Sequence, residues 1–341
     1  MRLRRVRLRS PYEGFSVAVA WEGQWIPLVV ALDQLRWADR APTLAQGAAR
    51  DVLAFLMLRE KAQDEAHALL EKVAQEGLLF GESFDPTPRL PFQPLSFRDF
   101  MLYEEHFIQA AKGMVRRFFP KKWPMVQWME RLTGKPPKAL RPKPIWYEKP
   151  IYYMGSHINV YTEGETIPWP SYTQALDYEL EIGFVIAQPL RDASPKEAEA
   201  AIGGFLVVND FSARDVQYAE MTSGFGPVKA KNFANGLGAE VVTADEVLPL
   251  IEDLAARVEV NGELWGTGHS RGMQFSLGEA VAYASLGEQV LPGEVMATGT
   301  LPGCSGMETD HWLRPGDRIT LTIERIGQLT NIIGPRAGAE A

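Results

Sequence analysis

The sequence predicts a mixed α+β fold, mainly β, with a small N-terminal α+β domain over residues 1–90 and a larger β-rich domain over 93–336. Three observations carry this expectation. Residues 43–76 are rich in Ala, Leu, Glu and Lys, a helical composition; Pro86, Pro88, Pro91 and Pro94 then break regular structure. Beyond that boundary, near residues 85–95, β-branched and aromatic segments alternate with Pro and Gly turns at short intervals.

The elements follow in order. Arg2, Arg4, Arg5, Arg7 and Arg9 alternate with Leu3, Val6 and Leu8, a two-residue period that predicts a strand rather than a transit peptide or basic tail. Phe15–Trp21 and Trp25–Val30 flank Glu22-Gly23-Gln24 and read as a hairpin. Residues 43–76 read as one or two helices closed by Gly77. Five prolines between 136 and 150 predict an irregular loop over 134–150. Ser194-Pro195-Lys196-Glu197 combines a capping Ser, a Pro at the first helical position and a Glu three residues after the cap, so one clear helix interrupts the strands. Asn261-Gly262 marks a two-residue hairpin turn, because both residues tolerate positive φ.

Composition bounds the function. The 341 residues carry a net charge of −8, against a nucleic-acid-binding surface, which needs clustered Lys and Arg; a small molecule is the expected partner. No run approaches the roughly 18 apolar residues that span a bilayer, so no membrane anchoring is expected. Cys304 is the one cysteine, which excludes an internal disulfide and a thiolate zinc site and fits a reducing cytoplasm.

Candidate chemistry begins with Asp177-Tyr178-Glu179-Leu180-Glu181. On a strand, Glu179 and Glu181 share one face, with backbones roughly 7 Å apart, while Tyr178, Leu180, Ile182 and Phe184 share the other. Such a pair is ordinarily a solvated face; a bound cation is the alternative that would also relieve its repulsion. Further carboxylates favour the cation: Phe205–Val208 reads as a buried strand running into Asn209-Asp210, and Asp99 precedes Glu104, Glu105 and His106. Oxygen donors without cysteine select Mg²⁺, Mn²⁺ or Ca²⁺.

These landmarks resemble the fumarylacetoacetate hydrolase family over nearly all of residues 93–335. They are Asp99-Phe100 with His106; Asp177-Tyr178-Glu179-Leu180-Glu181; Asn209-Asp210-Phe211-Ser212-Ala213-Arg214-Asp215 with Gln217; Gly226-Pro227-Val228-Lys229-Ala230-Lys231; Val260-Asn261-Gly262-Glu263; and Ala297-Thr298-Gly299-Thr300. The tail, from Leu313-Arg314-Pro315-Gly316-Asp317 to Asn331, is also similar. The resemblance implies a β-rich roll or sandwich in the C-terminal domain, and a divalent ion, Mg²⁺ or else Mn²⁺ or Ca²⁺, in Asp99, Glu179, Glu181 and Asp210. It implies that His106, oriented by Glu308, is the general base, that Lys231 and Gln217 lie beside metal and substrate, and that Arg117 and Thr300 contact substrate. The implied reaction is C–C cleavage of a β-diketo acid of the fumarylacetoacetate or acylpyruvate type by activated water, in a homodimer joined through the β-rich domain. The same site could isomerise 2-hydroxy-diene-dioates or decarboxylate 2-oxo acids in aromatic catabolism, and the resemblance leaves those reactions open.

The chain also departs from the family pattern. Spacing after His106 leaves Arg116 and Arg117 as alternatives, Asn235 stands in place of a Thr, Met101 and Met221 stand in place of Tyr, and extra residues after Thr300 precede Glu308. His67, His269 and His311 are expected to pack or face solvent, Cys304 to pack, and Trp123, Trp128, Trp146 and Trp169 to pack the loop region. His157 is a candidate substrate contact. Two other function classes remain: an iron(II) oxygenase, which would need a second histidine beside His106, and a metabolite-binding relative without turnover.

Overall fold

The computed structural model describes residues 1–336. A twelve-stranded sheet forms the centre. Along its main path run Gln24–Pro27, Phe15–Trp21, Arg2–Leu8, Glu240–Thr243, Ile202–Asp210, Glu179–Ile186, Val295–Ser305, Phe97–Phe100 and Tyr152–Gly155. A five-stranded sheet packs against it, in the order Glu263–His269, Ala255–Val260, Arg318–Ile323, Gly327–Arg336 and Thr166–Trp169. Leu180, Ile182 and Phe184 belong to the apolar core shared with this second sheet, whereas Val185, Leu206 and Val208 belong to the core shared with the N-terminal helices. The strand Glu179–Ile186 is therefore buried on both faces, and the solvated-face reading of its two glutamates does not hold.

The N-terminal strand pairs Leu3 with Val241 and so makes the first residues continuous with the central sheet. Its arginines lie over aromatic rings, Arg4 above Trp25 at 4.2 Å and Arg5 above Phe15 at 3.8 Å. The hairpin forms, but its second strand stops at Pro27 and residues Leu28–Gln34 are helical. The helix Val52–Glu76 ends on Gly77 at φ 64°, the left-handed cap that the sequence indicated. Ser194 and Glu197 form the capping box of Pro195–Ala200, and Asn261 and Gly262 take φ of 53° and 83° in the hairpin turn.

The main difference lies over residues 104–148, which form helices Glu104–Phe118, Trp123–Thr133 and Pro144–Glu148 rather than strand and loop. The signals were charge and capping: Glu104 and Glu105 open the first helix, Arg116 and Arg117 close it, and both charge placements favour the helix dipole. Pro124 starts the second helix and Gly134 ends it at φ 66°. Gly113 lets the first helix approach closely, since a Cβ there would lie 2.0 Å from the Met307 carbonyl oxygen. Among the described residues, no helix is long and apolar enough to cross a membrane.

Candidate active site

Antiparallel pairing of Leu180 with Asn209 brings Glu179 and Glu181 beside Asp210, and the pairing of Asp99 with both Ala297 and Tyr153 adds Asp99. Asp99, Glu181 and Asp210 each place an oxygen within 4.8 Å of the others. All three are buried, and Asp99 Oδ1, Glu181 Oε2 and Asp210 Oδ1 have no hydrogen-bond partner. Burial, then mutual repulsion, pushes Asp99 and Glu181 well above the ordinary carboxylate range; burial also raises Asp210, against the pull of Lys231. Three buried carboxylates that converge, each with one oxygen lacking a partner, fit a hard divalent cation, which would favour their ionised forms.

Glu179 is placed differently. Its Oε1 accepts from Arg214 Nη2 at 2.6 Å, its Oε2 bonds Lys231 Nζ, and Lys231 also bonds Asp210. Burial would raise the Glu179 pKa, but Arg214, Lys231 and His106 outweigh it and hold the carboxyl well below its usual range. The structure thus brings three of the four expected carboxylates to one point and engages the fourth with cations.

His106 is buried on the helix Glu104–Phe118, with Nδ1 3.0 Å from Glu308 Oε2 and Nε2 3.5 Å from Glu179 Oε1. Burial opposes its positive charge, yet Glu308 and Glu179 prevail and its pKa is raised to about 9. Glu308 is fixed in turn: Oε1 accepts from the Gly303 amide at 3.1 Å and Oε2 from Ser305 Oγ at 2.8 Å. This acid–base pair and the carboxylate triad meet at Glu179.

The remaining expected residues divide. Thr300 Oγ1 donates to Glu181 Oε1 at 3.3 Å, and Gln217 Oε1 accepts from Arg214 at 2.9 Å. Arg117 is exposed over the Trp312 ring, whereas Arg116 reaches the Met307 and Glu308 carbonyl oxygens at 3.4 and 3.3 Å. His157 contributes only its carbonyl, to Gln93. His67 packs on Trp21 and His311 stacks on Trp265, while Trp128 is 63% exposed instead of packed. Two site residues escaped sequence reasoning. Tyr153 Oη donates to Asp210 Oδ2 at 2.8 Å, and Arg214 joins Glu179 to Asp177. Arg214 lies inside a motif already singled out; nothing local distinguished Tyr153 from Tyr152.

Residues 132–333 match the family model described as fumarylacetoacetate (FAA) hydrolase C-terminal. The chain belongs to the fumarylacetoacetate hydrolase family. Asp99 and His106 lie ahead of the matched segment, so their placement rests on the fold. The chain is 32% identical over 189 residues to oxaloacetate tautomerase YisK of Bacillus subtilis, covering 55% of this chain and 62% of that protein, less than two thirds of its length. The fumarylacetoacetate hydrolase of Exiguobacterium antarcticum has a similar structure, with a TM-score of 0.61 and 21% identity over 98% of this chain and all of that one. The 2-hydroxyhepta-2,4-diene-1,7-dioate isomerase of Mycobacterium marinum gives a TM-score of 0.57 and 19% identity over 99% of each chain. The two solved structures share this fold, and the names of the three proteins span hydrolysis, isomerisation and tautomerisation.

Proposed function

We propose that this family member is a metal-dependent hydrolase that cleaves a C–C bond in a β-diketo acid of the fumarylacetoacetate or acylpyruvate type. The observation that carries this reading is the His106–Glu308 pair at 3.0 Å, set beside the Asp99, Glu181 and Asp210 oxygens. Mg²⁺, or Mn²⁺ or Ca²⁺ in its place, would be held by those three residues, with Glu179 as the expected fourth ligand once its Oε2 leaves Lys231. Such an ion would polarise the substrate's carbonyl groups and stabilise the enolate that forms on cleavage. His106 takes a proton from water at Nε2 as the water oxygen adds to the substrate carbonyl, and returns it to the carbon of the leaving fragment when the C–C bond breaks; Glu308, 3.0 Å from Nδ1, stabilises the imidazolium in between. Lys231, with Gln217 and Thr300 nearby, offsets negative charge on the leaving fragment, and Tyr153 adds a donor beside Asp210. Arg116 is better placed than Arg117 to meet a substrate carboxylate. In this reading residues 93–336 carry the chemistry and residues 1–90 brace the sheet. A reducing compartment such as the cytoplasm suits the single, buried Cys304.

The similarity to an oxaloacetate tautomerase favours one second reading, in which His106 moves a proton between carbon and oxygen of a 2-oxo acid without hydrolysis. An acylpyruvate panel and oxaloacetate, assayed with Mg²⁺ and with chelator, separates the two by product. Cleaved acids support hydrolysis; keto–enol exchange without cleavage replaces it with tautomerisation.

Two outcomes are expected here. Glu308→Gln should lower kcat about tenfold, less than loss of His106 itself. Because Glu308 favours the charged imidazole, its loss should move the acidic limb of the rate profile to lower pH, and a titration of kcat against pH checks the sign. The proposed homodimer, joined through the β-rich domain as the family resemblance implies, should sediment at micromolar concentration with twice the 38.0 kDa chain mass. A 38.0 kDa species would reject it.

A further inference from the structure

Asp177 touches neither the carboxylate triad nor His106, yet it holds the supports of both histidine nitrogens. Its side chain is fully buried and accepts four hydrogen bonds. Oδ1 takes the amides of Tyr178 at 2.8 Å and Gly306 at 2.9 Å; Oδ2 takes the amide of Met307 at 2.9 Å and Arg214 Nε at 2.8 Å. Residues 306 and 307 lead directly into Glu308, which faces His106 Nδ1. Arg214 passes the second arm on to Glu179, which faces Nε2.

We propose that Asp177 is a positioning residue for proton transfer at His106, fixing Glu308 through the backbone of residues 306–307 and Glu179 through Arg214. The inference rests on the reading of His106 as the base. Only an ionised carboxylate fits four donors, because each oxygen must accept twice. An amide of the same shape offers one accepting oxygen, and its NH₂ group would confront either the Met307 amide with Arg214 Nε, or the amides of Tyr178 and Gly306. The contact is also close: a Cβ on Gly306 would lie 2.4 Å from Asp177 Oδ1 and 2.1 Å from the His311 carbonyl oxygen, so the segment has no room to shift toward the carboxylate. Misplacement of a proton-transfer group by about 1 Å can cost roughly a hundredfold in rate.

The test is Asp177→Asn, with Gly306→Ala as an independent way to displace the same segment. Folded variant, judged by circular dichroism, should show kcat reduced about 10- to 100-fold on the best acid of the panel, with KM and Mn²⁺ affinity within about twofold of the parent. Its crystal structure with Mn²⁺ should show the Glu308–His106 contact opened. Gly306→Ala should give the same signature, and it carries the test if Asp177→Asn does not fold. A folded variant with parental kcat and merely a lower Tm would overturn the proposal in favour of a purely structural role. Loss of Mn²⁺ affinity with the Glu308–His106 contact intact would overturn it in favour of the metal site. If the parent itself turns over none of the acids, the proposed reaction fails, while the crystal structure and the Mn²⁺ titration still decide the role of Asp177.

Discussion

His106→Ala should lower kcat by a factor on the order of 10² to 10⁴ and leave Mg²⁺ affinity nearly unchanged. The separation follows from geometry. His106 meets the outer oxygens of the site, at Glu308 and Glu179, and is absent from the Asp99, Glu181 and Asp210 cluster. With its pKa raised to about 9, the neutral imidazole that can accept a proton from water becomes populated as the pH rises, so kcat should climb toward pH 9 in the parent. Steady-state rates combined with calorimetric Mg²⁺ titration check both halves. A variant that binds Mg²⁺ poorly would make the histidine a ligand and revive the iron(II) oxygenase class; one with the parental rate would place water activation elsewhere.

Glu181→Gln or Asp210→Asn should abolish measurable Mg²⁺ binding and with it the activity. Each substitution removes one of three converging oxygens and introduces an amide that donates toward the remaining carboxylates. Hard divalent ions gain most of their affinity from charged oxygens, so a triad reduced to two charges loses the site as well as the ligand. Asp210→Asn carries an added effect, because Lys231 and Tyr153 both donate to Asp210 Oδ2. Glu179→Gln separates the two roles of its carboxylate: retained Mg²⁺ affinity would make Glu179 a partner of Lys231 and His106, and lost affinity would make it the fourth ligand. Unchanged calorimetric affinity in both Glu181→Gln and Asp210→Asn would remove the metal centre from these residues.

Much of this arrangement was legible in the chain. The two-residue period around Glu179 and Glu181 and the apolar run into Asp210 are local properties, and they placed three carboxylates on strands before any pairing was known. The depth of the site was not legible, because alternation reports that two faces differ and not what covers each; the N-terminal core reaches Val185 on the glutamates' face, and the glutamates themselves are covered by Arg214, Lys231, His106 and Thr300. Tyr153 stayed hidden for a related reason. Its position opposite Asp99 is a register between strands distant in sequence, fixed by packing and unmarked by any local cue. The helices over 104–148 carry weaker local signals: Glu104, Glu105, Arg116 and Arg117 mark the ends of the first, while the prolines from 136 on mark irregular backbone around the last.

The parallel pairing of Phe97–Phe100 with Val295–Ser305 has a kinetic side. Glu181 and Asp210 lie on directly paired neighbouring strands, but Asp99 joins them only after Phe97 has paired with the distant Val295, so the metal pocket is among the last features a folding chain can complete. An ion held there would act as a clasp, linking the Asp99, Glu181 and Asp210 strands and slowing their separation, much as a cross-link removes freedom from an open chain. Nascent or damaged chains would then lack the clasp altogether, and possession of the ion would mark a molecule whose central sheet is fully assembled.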